Sequence, residues 1–375
     1  MIPDSSSFHP TRALIDRSSF IHNIRAVRSY VGAEVAIMAV VKANAYGHGA
    51  VELARVALAN GVMYLAVARV EEGLELREAG IDAPLLVFEL VRRDMLEQAL
   101  HADLQLTLSS LEGARALNEV AGDLRVKAKV HLKVDTGMAR LGLDHRSAAP
   151  QIESILRLQW LNVAGVYSHF ATADDADQTF AHLQLDRFNA LLNELSRRGL
   201  DIPLKHMAGS GAIMALPESH FDLVRPGIML YGYPPRRGMD LQHPLKTVMS
   251  LVSAVNFVKR VAANTSVSYS RRYFTRQETN IATVPIGYAD GYSRLLTGRS
   301  SLIIRGRKYP VVGTVCMDHI MVDVGLDDIH EGDSVTLIGR DGDESITAWD
   351  IAELIGTIPY EVLCMVTNRV PRVIT

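Results

Sequence analysis

Val35-Ala36-Ile37-Met38-Ala39-Val40-Val41-Lys42-Ala43-Asn44-Ala45-Tyr46-Gly47-His48-Gly49 is the stretch on which the reading of the chain turns. Its first seven residues are an apolar run of strand length, rich in β-branched side chains, which is how a strand covered on both faces reads. Lys42 stands where that strand runs out, and a helical pattern begins at Ala50. At the carboxyl end of a parallel strand, a lysine has its stem in the core and its amine at the mouth of the sheet. Desolvation there lowers the amine pKa from about 10.4 and frees the lone pair that a Schiff base needs. A lone strand-end lysine also reads as one that snorkels to solvent. Tyr46 and the glycines at 47 and 49 set this one apart.

Outward from this strand, β-like and helical runs alternate up to about residue 230. Strands are expected near 35–41, 63–67, 85–88, 104–107, 126–134, 161–168, 203–207 and 222–224. A helix near Arg17 to Tyr30 precedes them, and helical patterns such as Val51 to Asn60, Val70 to Ala79 and Ala181 to Arg198 separate them. Eight β/α repeats match a TIM barrel, although a doubly wound sheet shows similar alternation. Beyond Tyr231-Gly232-Tyr233-Pro234-Pro235 the texture changes to short β-rich runs broken by turn residues: Val248 to Val258, Asn280 to Pro285, Ser301 to Arg305, Val311 to Val315, Ile320 to Val324 and Ser334 to Ile338. One helix, Ala348 to Leu354, interrupts them. The expected fold is therefore α/β, an N-terminal (β/α)8 barrel over 12–240 followed by a mainly-β domain over 241–375, with residues 1–11 packing on the second domain.

Composition bounds the function. With 375 residues, 48% of them hydrophobic, the chain has ample material for two cores. A formal net charge of -3 provides no basic field for nucleic acid and no polybasic membrane patch. Two cysteines, Cys316 and Cys364, make no disulfide framework, so a reducing, cytoplasmic setting is expected. Met1 to Arg12 lacks the apolar core of a signal peptide, and no apolar run approaches the ~20 residues of a membrane span. Neither HExxH nor CxxC spacing occurs, and no metal is expected.

A barrel places its chemistry at the carboxyl ends of its strands, often with an anion site after strands seven and eight. Ala208-Gly209-Ser210-Gly211-Ala212 and Arg225-Pro226-Gly227-Ile228 occupy those two places. Glycines there let backbone N–H groups approach an anion, and Ser210 adds a hydroxyl at a helix start. A strand-end lysine with a phosphate cup across the mouth describes a pyridoxal phosphate pocket. Arg140 follows the fifth strand and His169 the sixth. Alone, they read as a surface arginine and a core histidine; on one barrel mouth they read as an anion-recognising arginine and an imidazole packed on a flat cofactor. In the second domain Ser266-Val267-Ser268-Tyr269 and Val315-Cys316-Met317-Asp318 are the unusual spots. Nothing internal to the sequence raises them above a strand tyrosine and a core methionine.

Taken with Lys133-Val134-Asp135-Thr136-Gly137-Met138, Arg225-Pro226-Gly227-Ile228-Met229-Leu230-Tyr231-Gly232, Gly287-Tyr288-Ala289-Asp290-Gly291 and Cys316-Met317-Asp318, the Ala39 to Gly49 segment resembles the alanine racemases, fold-type III pyridoxal-phosphate enzymes. The resemblance runs from about Arg12 to the last residue. It implies interconversion of L- and D-alanine for peptidoglycan by a head-to-tail homodimer whose pockets each borrow residues from the partner's β domain. By resemblance, Lys42 would hold the cofactor and serve as base on one face of the substrate, and Tyr269 of the partner subunit would serve the other. Arg225 would meet the pyridine nitrogen, and His169 would lie against the ring. Tyr46, Ser210, Gly227, Ile228 and Tyr360 would hold the phosphate, and Arg140 and Met317 of the partner subunit the substrate carboxylate. Lys133 resembles the lysine that is carbamylated in many members.

The chain departs from the family pattern at four places. Ser270 stands where glycine is usual, Ala139 replaces a glycine before Arg140, Gly209 replaces an asparagine, and Thr314 occupies a position where some members carry arginine. An amino-acid decarboxylase of the same architecture and a broad-specificity racemase are the rival readings. Against the first, Met317 separates Cys316 from Asp318. A cofactor carrier consisting of the barrel alone would lack residues 241–375.

Overall fold

The computed structural model describes residues 9–375 and resolves two compact units. One comprises Phe20–Ala45 and Ala50–Lys246; the other comprises the residues up to Ser19, Tyr46–Gly49 and Thr247–Thr375.

The first unit is the barrel. Its strands, Ala36–Val40, Tyr64–Val67, Leu85–Val87, Gln105–Leu108, Ala128–Asp135, Leu161–Tyr167, Leu204–His206 and Leu223–Val224, pair in parallel in chain order. The last returns to the first through Leu223 opposite Ala36. The seventh and eighth join through Asp222 N to Lys205 O (3.1 Å) and Arg225 N to Ala208 O (2.9 Å), which closes the ring. Strands such as Leu85–Val87 and Gln105–Leu108 are buried along their whole length, as strands covered on both faces must be. The doubly wound alternative is excluded.

The segment after Lys42, where the sequence drew attention to Tyr46 and the glycines at 47 and 49, has an unusual backbone. Ala43, Asn44, Ala45 and Tyr46 all have φ between 51 and 53°, one left-handed helical turn made without glycine. An L-residue in this region costs about 1–2 kcal/mol, so the turn survives only because its surroundings hold it. Ala45 N donates to Val41 O (2.8 Å), and Asn44 Oδ1 accepts from Ala50 N (2.7 Å), which starts the helix Ala50–Ala59. Glu72 does most. Its Oε1 accepts from Ala43 N at 2.6 Å, while Oε2 accepts from Ala68 N (2.7 Å) and Arg69 N (3.1 Å) in the next βα loop.

The second unit is a twisted sheet with nine strands along its path. In spatial order they are Phe257–Val261, Thr279–Val284, Ile320–Asp323, Arg307–Val312, Ser301–Ile304, Ser334–Asp341, Met249–Ala254, Arg12–Ile15 and Arg372–Ile374. The pairings are antiparallel except the last, which is parallel. Arg12–Ile15 therefore does not belong to the barrel, as the 12–240 boundary had it. It has a bonded neighbour on each side, and Ala13 and Ile15 are fully buried. Thr11 is buried as well, its hydroxyl on Pro285 O (2.6 Å) and Ser253 Oγ (2.8 Å); residues 1–8 of the expected 1–11 packing lie outside the described residues. The run expected at Val311 to Val315 is a strand at Arg307–Val312, because Gly313 (φ 70°) turns the chain out of the sheet. A second helix, Pro359–Met365, follows Ala348–Ile355 and was not anticipated; its proline sits at the helix start, where the missing N–H costs nothing.

Replacing Glu72 with alanine removes the acceptor for three backbone N–H groups. A loss of about 2 kcal/mol in urea unfolding is expected, and the glutamine variant, which keeps one amide oxygen, should recover part of it.

Candidate active site

The barrel unit gathers most of the expected residues at the strand ends. Lys42 is half-buried and opens the left-handed turn. Arg225 follows the eighth strand and is 4% exposed. Its Nη1 donates to His206 Nδ1 (2.9 Å), and its Nη2 donates to Ser168 O (2.8 Å), Met207 O (2.9 Å) and His169 Nδ1 (3.2 Å). These partners are uncharged. Burial lowers the guanidinium to about 10, which still leaves it a cation at neutral pH. His169 accepts through Nδ1, so its proton lies on Nε2. Burial holds its pKa well below the ordinary histidine value, and Arg225, Lys133, Arg140 and Lys42 press it further in the same direction. Lys133 is 7% exposed, its ammonium 4.5 Å from the Tyr167 ring centre. Burial first, then Arg225 and Arg140, drive its pKa well below the usual lysine value; Asp135 opposes them weakly. Arg140 itself is exposed.

Four cationic or basic side chains thus converge around His169, and such a cluster calls for an anion. The residues of the expected anion cup lie together. Ser210 opens the short helix Ser210–Ala215 and is buried; its Oγ accepts from Gly227 N (3.0 Å) and Met229 N (3.4 Å), which leaves its proton to donate. Ile228 begins the 3-10 turn Ile228–Tyr231 and is fully buried. A Cβ added at Gly209 would come within 3.1 Å of His169 Cε1, so the glycine found there in place of asparagine lets the imidazole lie close. A strand-end lysine, a flat imidazole, a buried guanidinium and a hydroxyl beside two glycine-rich loops fit pyridoxal phosphate in the chemistry of every donor.

The β-rich unit carries the other expected residues. Tyr46 and Tyr360 pack with ring centres 5.9 Å apart, and burial, then Tyr360 and Cys364, push the Tyr46 phenol pKa upward. Tyr46 therefore stays protonated and can donate. Tyr269 is 71% exposed on a single 3-10 turn. That turn is strained: Ser268 has φ 66° with ψ -176°, a region that is essentially glycine's, and Ser270 has φ 61°. Thr314 pins it, its hydroxyl donating to Tyr269 O (2.9 Å) while its carbonyl accepts from Ser268 Oγ (2.7 Å). The position where some members carry arginine thus has a structural task here. Met317 is 51% exposed on a loop whose carbonyls accept from Tyr288 N (3.0 Å) and Ala289 N (3.1 Å). A Cβ at Gly287 would sit 2.2 Å from Met317 O, so only glycine allows this approach. Arg369 ties the loop down through Asp318 (2.8 Å) and Asp290 (3.3 Å).

Several residues of the barrel interior were not singled out in the sequence: Gln105, Thr107, His131, Tyr167 and His206 are all buried and joined by hydrogen bonds or ring contacts. A signal existed. Gln105 and Thr107 alternate with leucines, and His131 and Lys133 belong to a polar row, Lys129 to Asp135, that alternates with apolar residues, which puts each set on one face.

Comparison with known proteins bears on the same segments. The profile for "Alanine racemase, N-terminal domain" matches residues 15–235, and that for "Alanine racemase, C-terminal domain" matches 248–374. An alanine racemase of Methanococcus maripaludis is 44% identical over 368 residues, 97% of this chain and 98% of that protein. The chain belongs to the alanine racemase family. A solved alanine racemase from Clostridium difficile 630 superposes with a TM-score of 0.95 at 38% identity, covering 98% of this chain and 96% of its own. A histidine racemase from Leuconostoc mesenteroides superposes at 0.91 with 29% identity, covering 98% and 99%, so the architecture extends beyond proteins named for alanine.

Two departures from the family pattern now have a physical meaning. Ala139 (φ 55°) and Ser270 (φ 61°) both occupy left-handed backbone where the family usually has glycine. Each side chain costs about 1 kcal/mol there. Ala139→Gly and Ser270→Gly should each raise stability by about 0.5–1 kcal/mol in denaturant titration, additively because the sites lie in different units.

The buried histidines set a pH limit. Burial, with a smaller contribution from Arg225, lowers His131 to about 3 from 6.5, so below pH 6.5 the unfolded chain binds the proton first. Stability should fall as pH drops from about 6.5 toward 3, and His131→Gln should flatten that slope in urea midpoints measured across the range.

Proposed function

We propose that the protein interconverts L- and D-alanine with pyridoxal phosphate, in the cytoplasm, to supply D-alanine for peptidoglycan. The observation that carries this reading is Arg225, a buried guanidinium with uncharged partners in a cluster that also holds Lys42 and His169. Bound there, pyridoxal phosphate would draw electrons from the substrate Cα and make its proton acidic. The side chains would do the rest. Lys42 would hold the cofactor, then take or return the Cα proton on one face. Tyr269 of the partner subunit would exchange it on the other, since racemisation needs acid/base groups on both sides. Arg225 can only donate, so it would leave the pyridine nitrogen without a proton and keep electron withdrawal moderate. His169 would lie flat on the ring. Tyr46, Ser210, Gly227, Ile228 and Tyr360 would hold the phosphate, while Arg140 and Met317 of the partner subunit would meet the substrate carboxylate.

The homodimer has its own support in the β-rich unit, where Tyr269, Met317, Tyr288 and Leu295 are between 42 and 71% exposed. Tyr288 and Met317 are linked by the backbone bonds of one loop, and exposed apolar groups of this kind mark interaction surfaces. Two cysteines in 375 residues, Cys316 and Cys364, are in keeping with a reducing compartment. No helix among the described residues is long and apolar enough to cross a membrane. Lys133 is the residue we propose to be carbamylated. Its depressed pKa favours the neutral amine, whose nitrogen can add to carbon dioxide with loss of a proton, placing an anion beside Arg140. Protein equilibrated with 13C-bicarbonate should show a carbamate carbon resonance that is missing from Lys133→Ala.

Borohydride reduction of the holoenzyme should fix the cofactor to the peptide containing Lys42. Lys42→Ala and Tyr269→Ala should each be inactive, and mixing them should restore activity, because an exchanged dimer has one pocket with both bases. No recovery after verified exchange would remove the shared-site reading.

The histidine racemase neighbour makes a broad-specificity racemase the reading to exclude, and solvent deuterium entering Cα of each amino acid separates the two. Alanine should lead, with serine well behind. A poorly accommodated methylene costs roughly 1–3 kcal/mol, about 10- to 200-fold in rate. Comparable exchange of alanine with histidine or lysine would overturn the assignment.

A further inference from the structure

Arg225 is the entry to a hydrogen-bond chain that runs away from the mouth into the closed interior of the barrel. His206 Nδ1 receives the guanidinium at 2.9 Å. His206 Nε2 and His131 Nδ1 are 2.9 Å apart, and His131 Nε2 lies 2.9 Å from Gln105 Oε1. His131 and His206 are fully buried, and Gln105 is 6% exposed.

The direction of the chain is fixed at one end. A guanidinium has donors and no acceptor, so His206 must accept at Nδ1. Its single proton then lies on Nε2 and is donated to His131 Nδ1. That leaves the His131 proton on Nε2, donated to Gln105. A glutamine amide could offer either its oxygen or its NH2 group. Here only the oxygen completes the chain. An NH2 group turned toward His131 would force the proton to Nδ1 and set two donors face to face farther along, either between the histidines or at Arg225.

We propose that Gln105 is a positioning residue, whose amide oxygen ends the one-way chain from Arg225 through His206 and His131, fixes the tautomer of both imidazoles and holds an uncharged acceptor against the guanidinium. The inference rests on the preceding section only for the use made of Arg225; the tautomers follow from the interior itself. The surrounding side chains are built for it. Gly165 leaves room for His131, since a Cβ there would meet Nδ1. Tyr167 stacks on His206 with ring centres 4.7 Å apart and planes within 3°, and its hydroxyl is held by Thr107 at 2.8 Å. The charged or titratable groups around the pair are Arg225, Lys133 and Tyr167, none of them a carboxylate. Burial and Arg225 both disfavour the imidazolium, in agreement with two neutral rings.

Gln105→Glu tests the idea, because it offers a charge where the native residue offers a dipole. A carboxylate stabilises a doubly protonated His131, which must then donate through Nδ1 to His206 Nε2. The His206 proton is driven to Nδ1, and the bond to Arg225 is lost. Ring 15N spectra of histidine-labelled holoenzyme should show both native imidazoles protonated at Nε2 alone from pH 6 to 9, a range set around the free-histidine value of about 6.5. The Gln105→Glu spectrum should show an imidazolium in that range. Its kcat, measured with whichever amino acid exchanges its Cα proton, should fall roughly tenfold or more with little change in KM, and its rate profile should gain a new ionisation. Gln105→Met fills similar volume without an acceptor and should show a mixture of tautomers; it keeps the test open if the glutamate variant does not fold. A native His206 protonated at Nδ1 would overturn the proposal, as would ring shifts and a pH profile unchanged in both variants. The spectra are read without substrate, so failure of the alanine assignment would leave this outcome intact.

Discussion

The contact between the Glu72 carboxylate and the Ala43 amide holds the start of the turn that follows Lys42 at the barrel mouth. It joins the loop after the first barrel strand to the loop after the second, and it holds the first residue of a left-handed turn that has no glycine before Gly47. Four consecutive L-residues in that conformation cost about 4–8 kcal/mol, comparable to the whole stability of many domains. The turn is therefore imposed by its supports rather than chosen by its residues. It sets the direction in which Lys42 leaves the strand.

The barrel interior is governed by a second constraint, positive charge without a matching carboxylate. Lys133 and Arg225 are both buried, and each depresses the basicity of the imidazoles around it. Neutral rings, carbonyl oxygens and the face of Tyr167 stabilise the guanidinium in place of an anion. Such an arrangement satisfies the Nη donors while leaving the positive charge in place, which a paired carboxylate would have neutralised. Ser210, for its part, accepts twice from the backbone and retains its proton.

Much of this was legible in the sequence. The apolar run before Lys42, the eight-fold alternation and the change of texture near Tyr231 lead to a barrel and a β-rich unit, because each reflects a burial pattern that local composition must satisfy. The loops after strands seven and eight were placed by the same logic. The left-handed turn was not legible, because Ala43, Ala45 and Tyr46 carry no local preference for it; the cause lies in Glu72, 29 residues away. Arg12–Ile15 was assigned to the wrong unit for a similar reason. Four residues cannot announce partners at Met249–Val252 and Arg372–Ile374. The interior polar chain left a trace, polar residues alternating with apolar ones, but periodicity cannot say which rings meet.

The far end of the left-handed turn is fastened by Arg372, whose Nε donates to Gly47 O at 2.8 Å across 325 residues of sequence. A local hairpin can form while the rest of a chain is still being made, but this turn cannot, because its brackets are nonlocal and the residues between them prefer another conformation. The segment that follows Lys42 therefore takes its shape only once its distant brackets, Glu72 and Arg372, are both in place.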